Sequence, residues 1–265
     1  MFVEAGPDTV GEAGRRAVVA AVAGIITGFL VGGVGSRLLM RVAGAVSPVP
    51  GGRTEAGFNI DEITVGGTIA LIVSVGLFAG IASAALYTLF RPWLAWARRW
   101  RGFAFGVVLF AVASASSDLM NPDNPDFFLV QNHRLVIAMI VALFVTYGVV
   151  MDHAVRWFDS RIVLGERGQN SQAMVAMACA GVVFSLPILI GVLVSNSNCD
   201  CHPSRWIAGS VAAVAAGTLL MWAGSIWPRH RALRNSGTLL GMIGVVGALA
   251  FGLARGIGDA RDILP

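Results

Sequence analysis

The chain has 265 residues, 56% of them hydrophobic and 13% charged, with a mean hydropathy of +0.74 and a net charge of +4. Soluble domains carry about 25% charged residues, so this composition excludes an ordinary soluble domain and a disordered chain and points to a membrane. All 19 basic residues are Arg, and they lie between apolar runs, which fits orientation in a bilayer better than a nucleic-acid-binding face.

A membrane-crossing helix needs about 20 mostly apolar residues. Seven runs meet or approach that length, at about 17–40, 63–90, 102–119, 135–157, 173–194, 206–228 and 236–254. Helices are expected, because a lipid-facing backbone must satisfy its own hydrogen bonds, and the short alternating segments of a membrane barrel are missing. The expected fold class is an all-α, polytopic integral membrane bundle of seven transmembrane helices in one domain.

The first run follows Glu4, Asp8, Glu12, Arg15 and Arg16, with no small-residue cleavage site behind it, so it does not read as a cleavable signal. Gly24, Gly28 and Gly32 recur at four-residue spacing, which puts them on one face and permits close helix packing. Gly76 and Gly80, Gly102 and Gly106, and Gly237 and Gly241 repeat the pattern in later runs, with packing inside one chain as the default. Arg37 and Arg41 lie one turn apart at the end of the first run. They suit an anionic headgroup or substrate, since guanidinium binds phosphate and carboxylate bidentately. The plainer reading is snorkelling, with Glu55, Asp61 or Glu62 as partners.

Between the second and third runs lies Arg91-Pro-Trp-Leu-Ala-Trp-Ala-Arg-Arg-Trp-Arg101. Trp93, Trp96 and Trp100, with Arg98 and Arg99, read as an interfacial anchor, because indole rings favour headgroup level and Arg meets anionic lipid. After the third run, Asp118, Asp123 and Asp126 offer hard oxygen ligands, but their spacing matches no calcium-loop pattern. His133 opens the fourth run. At its far end Asp152 and Arg156 are four apart and suited to pair, with His153 beside them, on what reads as a solvated helix end.

Pro187 should kink the fifth run. Beyond it, Cys199, Cys201 and His202 combine two thiols and an imidazole that suit zinc or copper. Haem attachment needs one more residue between the thiols, and a Cys199–Cys201 bridge would be strained. No cofactor is expected.

Orientation follows from the loops. The segments before the first run and after the second, fourth and sixth hold twelve Arg; the alternate set holds seven. The positive-inside rule then predicts the N-terminus in and the C-terminus out, in a multi-pass protein of the cell membrane. No Asp, Glu, Arg or His lies near the middle of a run, which counts against a proton-coupled pump. The absence of Lys excludes a retinal Schiff base, and no zinc-protease or nucleotide-binding motif occurs.

The leading functional reading is a structural or accessory membrane subunit acting through helix packing and a cytoplasmic Arg/Trp rim. Its partners would be membrane lipids and a membrane protein or a second copy. A transporter or channel for a small or amphipathic solute is the alternative, with Ser83, Ser114, Ser116, Thr146 and Ser185 lining a path near Pro187. A lipid-active enzyme at the outer face, using Asp118, His133 and the two Arg, has the weakest footing, because no nucleophile–base spacing is legible.

Overall fold

The computed structural model describes residues 10–46, 66–67, 69, 72–116, 118–120, 132–161, 205–226 and 231–264. These are helical, with no strand among the described residues. Five stretches are long and apolar enough to cross a membrane: Glu12–Ala45, Gly76–Ser116, His133–Asp159, Trp206–Ser225 and Ala232–Ile263. The expected run at 173–194, with Pro187, lies outside the described residues.

The first stretch comprises α1 (Val10–Thr27), a π-helical segment (Gly28–Gly35) and α2 (Ser36–Ala45). A second π segment (Ile72–Ala79) leads into α3 (Gly80–Phe90), then a 3-10 segment (Arg91–Trp100) and α4 (Arg101–Ser116). After α5 (His133–Asp159) come α6 (Arg205–Ile226) and α7 (Arg231–Ile263).

The stretch Gly76–Ser116 folds back on itself. Tyr87 and Arg101 both reach the same Asp152 oxygen, each at 2.6 Å. In a straight helix 14 residues would separate them by about 21 Å. The reversal runs through the 3-10 segment, where Arg98 takes φ 43° and ψ −110°. Two of the expected runs, 63–90 and 102–119, therefore correspond to the two arms of this one stretch.

Three antiparallel pairs result, and in each glycine sets how closely the two axes approach. A Cβ on Gly24 would lie 2.7 Å from Ala84 Cβ, and one on Gly28 would be 2.9 Å from Gly80 Cα, so the glycines of α1 and α3 face each other. Gly106 of α4 meets the α5 backbone, where a Cβ would lie 2.6 Å from Phe144 O and 2.8 Å from Val145 Cα. Gly217 of α6 meets Gly237 and Gly241 of α7. Each stripe that the sequence marks thus faces a neighbour in the same chain, where the missing side chain lets backbones touch.

Helix ends extend past the apolar runs. Glu12 and Arg16 pair at 2.6 Å, and Arg255 and Asp259 at 3.1 Å, each one turn apart. Such pairs support exposed helix, so α1 and α7 continue where loops were expected.

The helices also sort their termini. The start of α1, the end of α3, the start of α4 and the end of α5 meet at one end, through Arg15, Arg91, Arg101, Asp152 and Asp159. At the other end, His133 Nδ1 lies 3.2 Å from Ile263 O, joining the start of α5 to the end of α7. The first end is the one that carries the richer Arg set.

Candidate functional site

The site begins with α5. Tyr147, Gly148, Met151, Asp152 and Val155 recur at helical spacing and form its buried face. Gly148 lies one turn before Asp152 and has no side chain, so α4 comes down onto it. A Cβ on Gly102 would lie 2.8 Å from Val149 Cα and 3.0 Å from Asp152 Cβ. Arg101, the residue before Gly102, is thereby held over the carboxylate.

Asp152 is 1% exposed. Its Oδ1 accepts from Tyr87 Oη and Arg101 Nε, each at 2.6 Å. Its Oδ2 lies 3.0 Å from Arg156 Nη2, an ion pair without hydrogen-bond alignment. Two guanidinium groups and a phenol thus surround one carboxylate. The sequence anticipates the Arg156 contact. It does not anticipate Arg101, 51 residues away, and the end of α5 is correspondingly not a solvated one at Asp152. Burial there is sustained because the carboxylate's charge is met by cations on two elements and Oδ1 accepts two hydrogen bonds, while Oδ2 has an ion pair only.

A second tier lies about two turns further out. Asp159 pairs with Arg15 and lies 3.8 Å from Arg91 Nη2, tying α1 and the 3-10 segment to α5. Beside it opens a cleft lined by Arg16, Ala20, Tyr87, Thr88, Arg91, Pro92 and Trp222. Deeper in, Ser83 Oγ lies 2.5 Å from Tyr147 Oη and donates to Gly80 O at 2.9 Å.

Trp93 corrects an expectation. It is fully buried (0% exposed), whereas Trp96 (53%) and Trp100 (60%) are exposed. Its indole N–H donates to Thr218 Oγ1 at 3.1 Å, Thr218 donates to Leu89 O at 2.8 Å, and the ring covers Gly241. A 3-10 turn puts residues three apart on one face, so helix type does not separate Trp93 from Trp96; Trp93 lies inward where Thr218 accepts its N–H and Gly241 leaves room for its ring. Only Trp96 and Trp100, with the exposed Arg98 and Arg99, form a rim. Trp93→Phe keeps most of the packing and loses one hydrogen bond. It is expected to cost about 1–2 kcal/mol, read as a lowered thermal midpoint in detergent.

The other expected residues fare differently. Arg37 is 7% exposed, packed rather than snorkelling, with Nη1 4.0 Å from Met40 Sδ; Arg41 on the same helix is exposed. The helix turns Arg37 toward neighbouring elements, which takes its guanidinium away from water. His133 is engaged with Ile263 O. The side chain of Asp118 lies outside the described residues, as do Asp123, Asp126, Cys199, Cys201, His202 and Ser185. Of the residues suggested for a solute path, Ser83 is committed to Tyr147 and Gly80, Ser116 donates to Val112 O at 2.6 Å, and Thr146 is exposed on the bundle's outer surface. Among the described residues no cluster of three or more His, Cys, Asp or Glu is placed to hold a metal.

Compared with known families, curated proteins and solved structures, the chain matches none. What stands on its own geometry is an all-helical bundle with five stretches able to cross a membrane and a buried ion network at one end.

Proposed function

We propose that the chain is a seven-pass membrane protein that serves as a structural or accessory subunit, with the network end on the cytoplasmic side. The single observation carrying this reading is the division of labour in Arg91–Arg101. Trp93 locks the segment into the bundle, and Trp96, Trp100, Arg98 and Arg99 are left exposed beside it. A rigidly held aromatic and cationic rim at a bundle end suits headgroups and a neighbouring membrane chain. The glycine-to-glycine packing of the described helices supports a scaffold, since backbones in direct contact leave little freedom for rearrangement.

Two experiments test this. The first addresses placement. With native cysteines replaced, an impermeant maleimide applied to intact cells is expected to label a cysteine at 264 and to spare one at 100. The reverse pattern overturns the orientation. The second addresses role. In mild detergent the chain is expected to migrate as a complex with a second membrane chain, either a copy or another protein. Replacing Trp96 and Trp100 by Ala and Arg98 and Arg99 by Gln is expected to dissociate it with the thermal midpoint unchanged. A monomer before and after the change removes the reading.

A further inference from the structure

The end of α5 carries a surface that the subunit reading leaves unused. Along α5 the exposed positions Ala138, Val141, Ala142, Thr146 and Val149 hold no charge, and they lie between Arg134 and His153, both exposed. Those two are 19 residues apart, about 28 Å of helix, close to the hydrocarbon thickness of about 30 Å. The last helix gives a second measure. The exposed residues of α7 between Arg234 and Arg255 are likewise uncharged, and that interval of 21 residues is about 32 Å long. Two helices from separate pairs thus give the same membrane thickness, and in that frame the part of α5 beyond His153 lies at headgroup level.

Past this boundary the exposed side of α5 turns aromatic and cationic. Trp157 and Arg161 are exposed, and the Arg161 guanidinium lies over the Trp157 ring, 3.8 Å from its centroid. Phe158 braces the ring edge-on at 4.6 Å, and Ser160 Oγ donates to Trp157 O at 2.8 Å. The Arg161 backbone N–H donates to Phe158 O at 3.0 Å, which fixes the end of the helix. Stacking uses the face of a guanidinium and leaves the donors at its edge for an acceptor.

The acids of this end are committed elsewhere. Among the described residues, Glu12 pairs with Arg16, Asp152 with Arg101 and Arg156, and Asp159 with Arg15 and Arg91. Arg161 therefore rests on an aromatic ring and not on a carboxylate, and its charge suits an anion from outside the described bundle. At headgroup level the abundant anion is a lipid phosphate, which guanidinium binds through paired donors.

We propose that Trp157 and Arg161 seat the headgroup of a net-anionic phospholipid, whose acyl chains run along the uncharged face from Val149 to Ala138. Arg161 donates to the phosphate oxygens, and Trp157 positions its guanidinium. The proposal shares with the subunit reading only the placement of this end at headgroup level, since that reading rests on Trp96 and Trp100.

The full chain is purified in mild detergent, stripped of lipid and incubated with equimolar phosphatidylglycerol and phosphatidylcholine, and the bound lipids are counted by native mass spectrometry. Wild type is expected to retain phosphatidylglycerol over phosphatidylcholine about tenfold, and R161Q about twofold. W157L frees the guanidinium without changing the charge, and its preference should fall about threefold, whereas W157F still stacks and should stay near wild type. The W157L/R161Q double variant should lose no more than R161Q alone, because the ring acts through the guanidinium. R134Q, at the other end of α5, should bind as wild type. Both substituted side chains are exposed, so thermal midpoints should not move; if R161Q lowers its midpoint, W157L against W157F decides. Equal preference in wild type and R161Q, a loss in R134Q as large as in R161Q, or additive losses in the double variant overturns the proposal. So does release of a co-purifying protein by R161Q with the lipid ratio unchanged, which makes a protein the occupant. The subunit reading is judged separately, by whether the Trp96 and Trp100 variants dissociate a complex.

Discussion

Asp152→Ala is expected to destabilise the bundle by about 3–5 kcal/mol, the range for breaking a buried ion pair by removing one partner. The reason is what remains. Arg101, held against α5 by Gly102, would keep its guanidinium in the interior without its carboxylate, and Tyr87 would lose the acceptor of its hydroxyl. The size of the loss comes from these stranded groups more than from the attraction removed. Two further variants separate those contributions. Tyr87→Phe deletes one hydrogen bond to a charged group and should cost about 1.5–3 kcal/mol. Asp152→Leu combined with Arg101→Met removes both charges, and most of the loss should return, because a well-packed apolar pair can replace a buried ion pair at little cost. The measurement is SDS-titrated unfolding in mixed micelles, arranged as a double-mutant cycle. A loss below about 1 kcal/mol for Asp152→Ala, or a double variant as unstable as the two single losses summed, would mean that the carboxylate is not the junction of these helices.

Much of the architecture is legible in the sequence because membrane crossing imposes one strong pattern. The apolar runs mark the described helices, and the glycines at four-residue spacing mark their facing sides, since both signals are local. What escapes local reading is pairing across the fold. Arg101 and Asp152 are each ordinary residues at the edge of an apolar run, and only the packing of Gly102 and Gly106 on α5 makes them partners. A signal was present. Arg101 precedes a small-residue stripe, and Asp152 follows Gly148 by one turn, so matching the stripes would have matched the charges. Trp93 was misplaced for a related reason. Composition marks the segment as interfacial, but the partners that take Trp93 inward, Thr218 and Gly241, lie more than 120 residues away, and no local pattern names them.

The same glycines allow a graded test. A Cβ at Gly148 would collide with Gly102 O and Gly106 N and lie 2.6 Å from Gly106 Cα. All three are backbone atoms, so no side-chain rotation relieves the clash, and α4 must move off α5. Gly148→Ala is therefore expected to cost about 1–3 kcal/mol from overpacking alone. It should cost more than that, because displacing α4 also draws Arg101 from Asp152. The two effects share one cause, so Gly148→Ala and Asp152→Ala should combine to less than their sum. Gly209 and Gly258 supply the opposite sign. Both are helical, and a Cβ at either meets nothing within 4 Å. Alanine there should leave stability unchanged or raise it by about 0.4–1 kcal/mol, through the better helix propensity and the smaller entropy of the unfolded chain. Gly35 is intermediate: its Cβ would meet the tip of Leu143, 2.6 Å away, which a rotamer change can clear. The expected order of stability is Gly209→Ala and Gly258→Ala at or above wild type, Gly35→Ala slightly below, and Gly148→Ala far below. If Gly148→Ala unfolds at the same SDS fraction as Gly209→Ala, α4 and α5 are not in backbone contact, and the placement of Arg101 over Asp152 goes with it.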